Sequence, residues 1–195
     1  MFGGVAIIIL LIAGFFLINK PKQTPREQLP PPPVLPSTRT YATSTFSVTY
    51  PDGYMADDTY KYEGVPKKPI PGVKFTIPGT MATGTNLSAD TGVSVESLPR
   101  ALKCTGDIYV YENVKTADLI VGSTTYSVAS TSGAGAGNLY EERVFAFKDH
   151  KPCIAVRYFT HSTQVANYPA GTVREFDRAA LLADFDKIRD SIQFK

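Results

Sequence analysis

Residues that mark chemistry are scarce in this chain. Its 195 residues include two cysteines and two histidines, and its formal net charge is only +2. That charge is lopsided, because residues 1–40 carry Lys20, Lys22, Arg26 and Arg39 against Glu27, leaving −1 for the remainder. A domain so close to neutrality lacks the positive field that holds phosphates, so nucleic acid is not an expected partner. No Gly-x-Ser-x-Gly elbow occurs, which leaves serine-hydrolase chemistry without its nucleophile setting. The glycine-rich run Ser132–Asn138 is followed by a strand-like stretch and no Lys-Ser/Thr pair. It therefore fails as a phosphate loop and reads as a flexible hairpin loop.

Metal and nucleophile patterns are missing as well. Cys104, Cys153, His150 and His161 show neither Cys-x-x-Cys nor His-x-x-x-His spacing, so no metal is expected. Nothing in their surroundings marks either cysteine as an activated nucleophile. Glu141 and Glu142 are adjacent, and adjacent strand residues point to opposite faces, so they cannot form a catalytic pair by themselves. No catalytic residue, cofactor or metal ligand is assigned on these grounds. The enzymatic alternative is a site assembled from distant residues such as His161, Cys153 and Glu141.

What the chain does have is one long apolar run. Phe2 to Ile18 contains no charged residue, and its 17 positions make a helix of about 26 Å, near the ~30 Å bilayer core. No Lys or Arg precedes the run, Ile18–Pro21 offers no Ala-x-Ala cleavage site, and no Cys follows for lipid attachment. Residues 1–19 are thus expected to be an uncleaved, single-pass transmembrane anchor. Residues 20–40 hold Pro21, Pro25, Pro30, Pro31, Pro32, Pro33 and Pro36. Proline fixes φ and removes donors, so this stretch favours polyproline II and reads as a stalk, at ~3.1 Å per residue reaching up to about 60 Å. Proline-rich segments also serve as ligands for aromatic grooves, a second use for the same stretch.

Residues 41–195 are the expected folded domain, and its strands can be read in order. Phe46–Tyr50 alternates apolar and polar residues before the turn signal Pro51–Gly53. Similar short stretches lie at Tyr60–Tyr62, Val73–Ile77, Val93–Glu96, Ile108–Tyr111 and Thr124–Ala129. Tyr140–Phe147 and Cys153–Thr160, joined by the polar turn Lys148–Pro152, should form the central hairpin. A closing helix is predicted, with Asp177 as its cap and Phe176 stapled onto Leu181. Leu181, Phe185, Ile188 and Ile192 share one face of it. The expected fold is α+β, an antiparallel sheet with the C-terminal helix across one face.

The opening strand Phe46–Pro51 with Tyr54, and the closing stretch Phe185–Phe194, resemble the first strand-turn and the final helix-strand of the PsbP-like family. Gly133–Phe185 is also similar to small membrane-tethered bacterial proteins of unknown role. The resemblance implies a PsbP-like α/β sandwich with a binding or assembly role and no common catalytic set.

Orientation carries opposing signals. Lys20, Lys22 and Arg26 follow the apolar run, which by the positive-inside rule would place that flank in the cytoplasm. The stalk, the cysteine pair and the resemblance favour an extracytoplasmic domain. In that compartment Cys104 and Cys153 read as a disulfide closing 49 residues, worth ~4 kcal/mol. If the domain faces the cytoplasm, two buried thiols are the expectation. Tyr60, Tyr62, Tyr109, Tyr111, Tyr126, Tyr140 and Tyr158 lie in or beside expected strands. Tyrosine suits contact surfaces, although half or more of these should pack within the sheet. The functional expectation is a membrane-tethered, non-catalytic binding or scaffolding domain with a protein partner in the cell envelope.

Overall fold

A computed structural model describes residues 37–195, so the expected anchor 1–19 and all but the end of the stalk lie outside the described residues. The described chain begins at once in a strand, β1 (Thr38–Ala42), antiparallel to β2 (Phe46–Pro51). Thr38–Thr40, expected in the stalk, therefore belong to the sheet. They follow Pro36, the last proline of the stalk stretch, and their N–H groups and β-branched threonines suit pairing. Burial in β2 follows the predicted alternation, with Phe46, Val48 and Tyr50 inside.

The chain continues through β3 (Met55–Asp57), β4 (Lys61–Tyr62), β5 (Ile70–Thr76), a single helical turn α1 (Gly79–Ala82) and β6 (Gly92–Leu98). After an excursion come β7 (Ala117–Val121), β8 (Thr124–Gly135), β9 (Asn138–Phe147) and β10 (Cys153–Thr163). Helix α2 (Arg178–Asp190) and β11 (Gln193–Phe194) close the chain. The large sheet runs β3-β5-β6-β10-β9-β8-β7 with β4 beside β5, and the small sheet runs β1-β2-β11. Among the described residues all strand pairs are antiparallel, so the α+β class stands. Among the described residues no helix is long and apolar enough to cross a membrane.

The predicted central hairpin forms, with β9 and β10 in register from Ala155 opposite Ala146 to Thr163 opposite Asn138. Its inner face carries Phe145, Val156 and Tyr158, which join Phe75, Val93 and Val95 in the main core. Helix α2 covers that core with Leu181, Phe185 and Ile188, all at most 1% exposed. Burying such side chains contributes roughly 1.5–3 kcal/mol each, which is why this amphipathic face and not helix propensity holds α2 in place. Asp177 caps α2 as predicted, its carboxylate accepting the Ala180 N–H at 2.9 Å. Phe176 and Ile192 pack on the same core from just outside the helix ends.

Two local expectations are corrected. The glycine-rich run is mostly strand: β8 extends to Gly135, which pairs with Asn138 across a two-residue turn at Ala136–Gly137. Ladder hydrogen bonds need no side chains, and Gly137 at φ +82° supplies the left-handed geometry that a tight hairpin requires. Ile108–Tyr111 is not a strand, because Gly106–Tyr109 forms a 3-10 turn. Here the chain lies across the sheet instead of within it. Gly106 approaches so closely that a Cβ would sit 2.6 Å from the Ala129 nitrogen. Tertiary packing overrides the alternating pattern at this point.

Candidate functional site

The second face of the large sheet, opposite α2, can be built row by row from strand register, since directly paired residues point to the same side. Leu98 and Cys153 form the first row. Glu96, Ala155 and Ala146 form the next, then Lys74, Ser94, Arg157 and Val144. Beyond these lie Phe159 with Glu142, and last His161 with Tyr140. The first rows are roofed by the excursion between β6 and β7, whose Tyr109 is fully buried. Cys104 in that excursion is disulfide-bonded to Cys153, with a Cα separation of 5.1 Å, as the sequence led us to expect. Tyr109 donates its hydroxyl to the Cys153 carbonyl at 2.9 Å, which completes the clamp.

In the middle row sits a buried ion cluster. The Arg157 side chain is 1% exposed and that of Glu96 0%. Arg157 Nε and Nη2 donate to the two Glu96 carboxylate oxygens at 2.7 and 2.8 Å, and Nη2 also donates to the Tyr109 carbonyl at 2.7 Å. Its Nη1 donates to Glu142, which also accepts the Tyr62 hydroxyl at 2.8 Å. Ser94 donates to Glu96 at 2.7 Å. The Tyr62 ring lies over the guanidinium, 3.4 Å from Cζ to the ring centroid. Among the described residues no buried side-chain nitrogen or oxygen lacks a partner, which is the condition under which such a cluster is tolerated. Burial alone would lower the Arg157 pKa, but the bond and charge of Glu96, with Glu142 adding, hold it above its ordinary value.

The far rows are different in kind. Phe159, Tyr140 and His161 are half-buried on this face. Tyr140 stacks on His161 at 4.5 Å between centroids and lies 6.4 Å from Phe159. Lys74 Nζ sits 5.1 Å from the Phe159 centroid and 5.9 Å from that of Tyr60. Burial lowers the Lys74 pKa, with Asp90 and Asp57 opposing the shift. His161 is held from both sides, by Asp90 at 2.8 Å from Nδ1 and Asn138 at 3.1 Å from Nε2. The result is an aromatic strip with polar tips, anchored on a rigid charged base.

Of the seven tyrosines singled out in the sequence, Tyr109, Tyr126 and Tyr158 are core residues and Tyr111 is exposed. Tyr60, Tyr62 and Tyr140 belong to the strip and its base. Burial raises the hydroxyls of Tyr54, Tyr60, Tyr62, Tyr109 and Tyr158 well above the ordinary 10.0. Above pH 10 the native state then keeps protons that the unfolded chain releases, so stability falls as pH rises through that region. In a tyrosinate absorbance titration these five should stay protonated past pH 10.0 and ionise together when the domain unfolds. Smooth ionisation of all eleven tyrosines in the ordinary range would contradict this burial.

His161, Cys153 and Glu141 are not brought together. Cys153 starts β10 inside the disulfide, and His161 lies eight residues along the same strand, ~27 Å away. Glu141 pairs with Thr160 on the α2 side of the sheet and forms an ion pair with Arg178. Arg157 and Glu96 were missed in the sequence, although a signal existed. Each is a charged residue inside a strand stretch that otherwise holds no charge, Arg157 at a period-2 position after Cys153 and Ala155 in the apolar run Cys153–Phe159, and Glu96 directly after Gly92–Val95.

No family model matches the chain, and no curated protein matches it. Among solved structures, a crystal structure from Bacteroides thetaiotaomicron VPI-5482 aligns with TM-score 0.43 and 12% identity, covering 77% of this chain. The chain spans less than half of that protein, 45% of its length.

Proposed function

We propose that this chain is a membrane-tethered, extracytoplasmic domain that binds or scaffolds a protein of the cell envelope without catalysis, and that the strip Tyr60–Lys74–Phe159–Tyr140–His161 is its contact surface. The single observation that carries the reading is this row of half-buried aromatic side chains on a sheet face, backed by the Arg157 cluster. Aromatic rings with polar tips supply large contact area at low entropic cost, and a stiff base keeps them in place. The apolar run 2–18 supports the tether, the proline-rich stretch supports the spacer, and the disulfide supports an oxidising compartment. A sheet with a closing helix is compatible with the PsbP-like likeness of Phe46–Pro51 and Phe185–Phe194, which is part of the same proposal.

The test places a photocrosslinking residue at Tyr140 and, as a control, at Tyr111 on native membranes. A discrete adduct from position 140 that disappears in the Phe159→Ala/His161→Ala background, while the melting temperature holds, is the expected result. Adducts of equal yield from both positions would overturn the strip as the contact surface.

A further inference from the structure

Beside the disulfide, away from the aromatic strip, the excursion after β6 and the segment before β5 enclose a half-open cleft of about 1090 Å³. Ligand pockets run roughly 300–1,000 Å³, so this one is large enough for an elongated organic molecule. Its floor is hydrocarbon: Val65, Ile70, Leu98 and Ile108. Three prolines, Pro69, Pro71 and Pro99, restrict the backbone of its walls. Leu102 stands at the lip, 92% exposed.

The rim has one sign of charge. Among the described residues that line the cleft, Lys68, Arg100 and Lys103 are the charged ones and none is a carboxylate. Among the described residues none of these three is engaged in an ion pair. In a domain whose residues beyond 40 sum to −1, three unpaired cations around an apolar slot are a local asymmetry. An apolar floor would be filled by an alkyl chain, and a cationic collar with no counter-charge of its own would be neutralised by an acidic head group.

We infer that the cleft between Val65 and Ile108 is a binding site for an anionic amphiphile, a single alkyl chain ending in a carboxylate. The floor takes the chain, and Lys68, Arg100 and Lys103 take the head group. The exposed Leu102 extends the apolar surface outward to cover the part of the chain nearest the opening. This assignment is independent of the aromatic strip, and neither depends on the other.

The experiment uses the full chain in nanodiscs of neutral phosphatidylcholine and a photoactivatable palmitate, with the matching palmityl alcohol as the uncharged probe. Peptide mapping of the labelled protein should place the palmitate adduct on the segments 65–71 and 98–108. Yield should fall at least tenfold with the alcohol, and at least tenfold in the Lys68→Glu/Arg100→Glu/Lys103→Glu variant, since losing even one charge-assisted contact is about a tenfold effect. All three side chains are exposed, so their reversal leaves the fold in place, and an unchanged thermal melt checks that. Equal labelling by acid and alcohol would overturn the inference. So would labelling confined to the Leu102 peptide and insensitive to charge reversal, which would mark simple adsorption to the bilayer.

Discussion

Replacing Arg157 with Met is expected to destabilise the domain by about 3–5 kcal/mol, the cost of breaking a buried ion pair by removing one partner. The reason is what stays behind. Glu96 is fully buried and would keep only the Ser94 hydroxyl as a partner. Glu142 is better placed, because its side chain is 17% exposed and retains Tyr62. An uncompensated carboxylate in the interior either pays its desolvation or takes up a proton, and both weaken the fold. Against a total stability of roughly 5–15 kcal/mol this is a large fraction, and the melting temperature should drop by on the order of 10 °C. The double variant Arg157→Met/Glu96→Leu should be more stable than Arg157→Met alone, since it removes the orphaned charge together with its partner. Urea unfolding of the two variants decides the matter. A loss under ~1 kcal/mol for Arg157→Met would mean that the cluster behaves like an exposed pair.

The second large effect concerns the disulfide. Cys104→Ala/Cys153→Ala frees a 49-residue separation, and the chain-entropy estimate puts the cost at ~4 kcal/mol. The structure says where that loss is felt. Cys104 holds the excursion whose Tyr109 and Val110 cover Ala129, Ala146 and Ala155, a core separate from the one under α2. Those alanines offer little area of their own, so the roof depends on its tie more than the α2 side does. The expected result is a lower urea midpoint for the variant, matched by the wild type under reductant. If reduction leaves the midpoint unchanged, packing of Tyr109 and Val110 alone holds the excursion.

The sequence displays elements wherever period governs packing. Phe46, Val48 and Tyr50 alternate because β2 has one buried side, and Leu181, Phe185 and Ile188 recur at helical spacing because α2 has one too. Asp177 at the cap and the Lys148–Pro152 turn were equally legible, since they act through neighbouring residues. What was not legible depends on contacts between residues far apart in the chain. The segment Ile108–Tyr111 alternates like a strand, yet Tyr109 is buried because it lies under a cysteine tie and over the sheet. The glycine-rich run looked like a loop because its side chains are small, but its backbone found a partner in β9. The strip itself draws Tyr60, Lys74, Tyr140, Phe159 and His161 from four strands or their edges, and no local pattern joins them. The pairing of Glu96 with Arg157 spans 61 positions, so composition could suggest each residue but not their meeting.

One consequence of the charged middle row reaches beyond stability. Many apolar residues of β10 would pack acceptably against more than one alignment of β6 and β9, since valine, isoleucine and alanine discriminate weakly among neighbours. Arg157 does not share that tolerance. Slide its strand by a single step and the guanidinium is thrust toward Phe185 and the oily side, while two acids are stranded on the other. The native alignment answers these charges and a one-step slip does not, so the cluster is expected to act as an error check on assembly, penalising near-miss sheets that hydrocarbon alone would let pass.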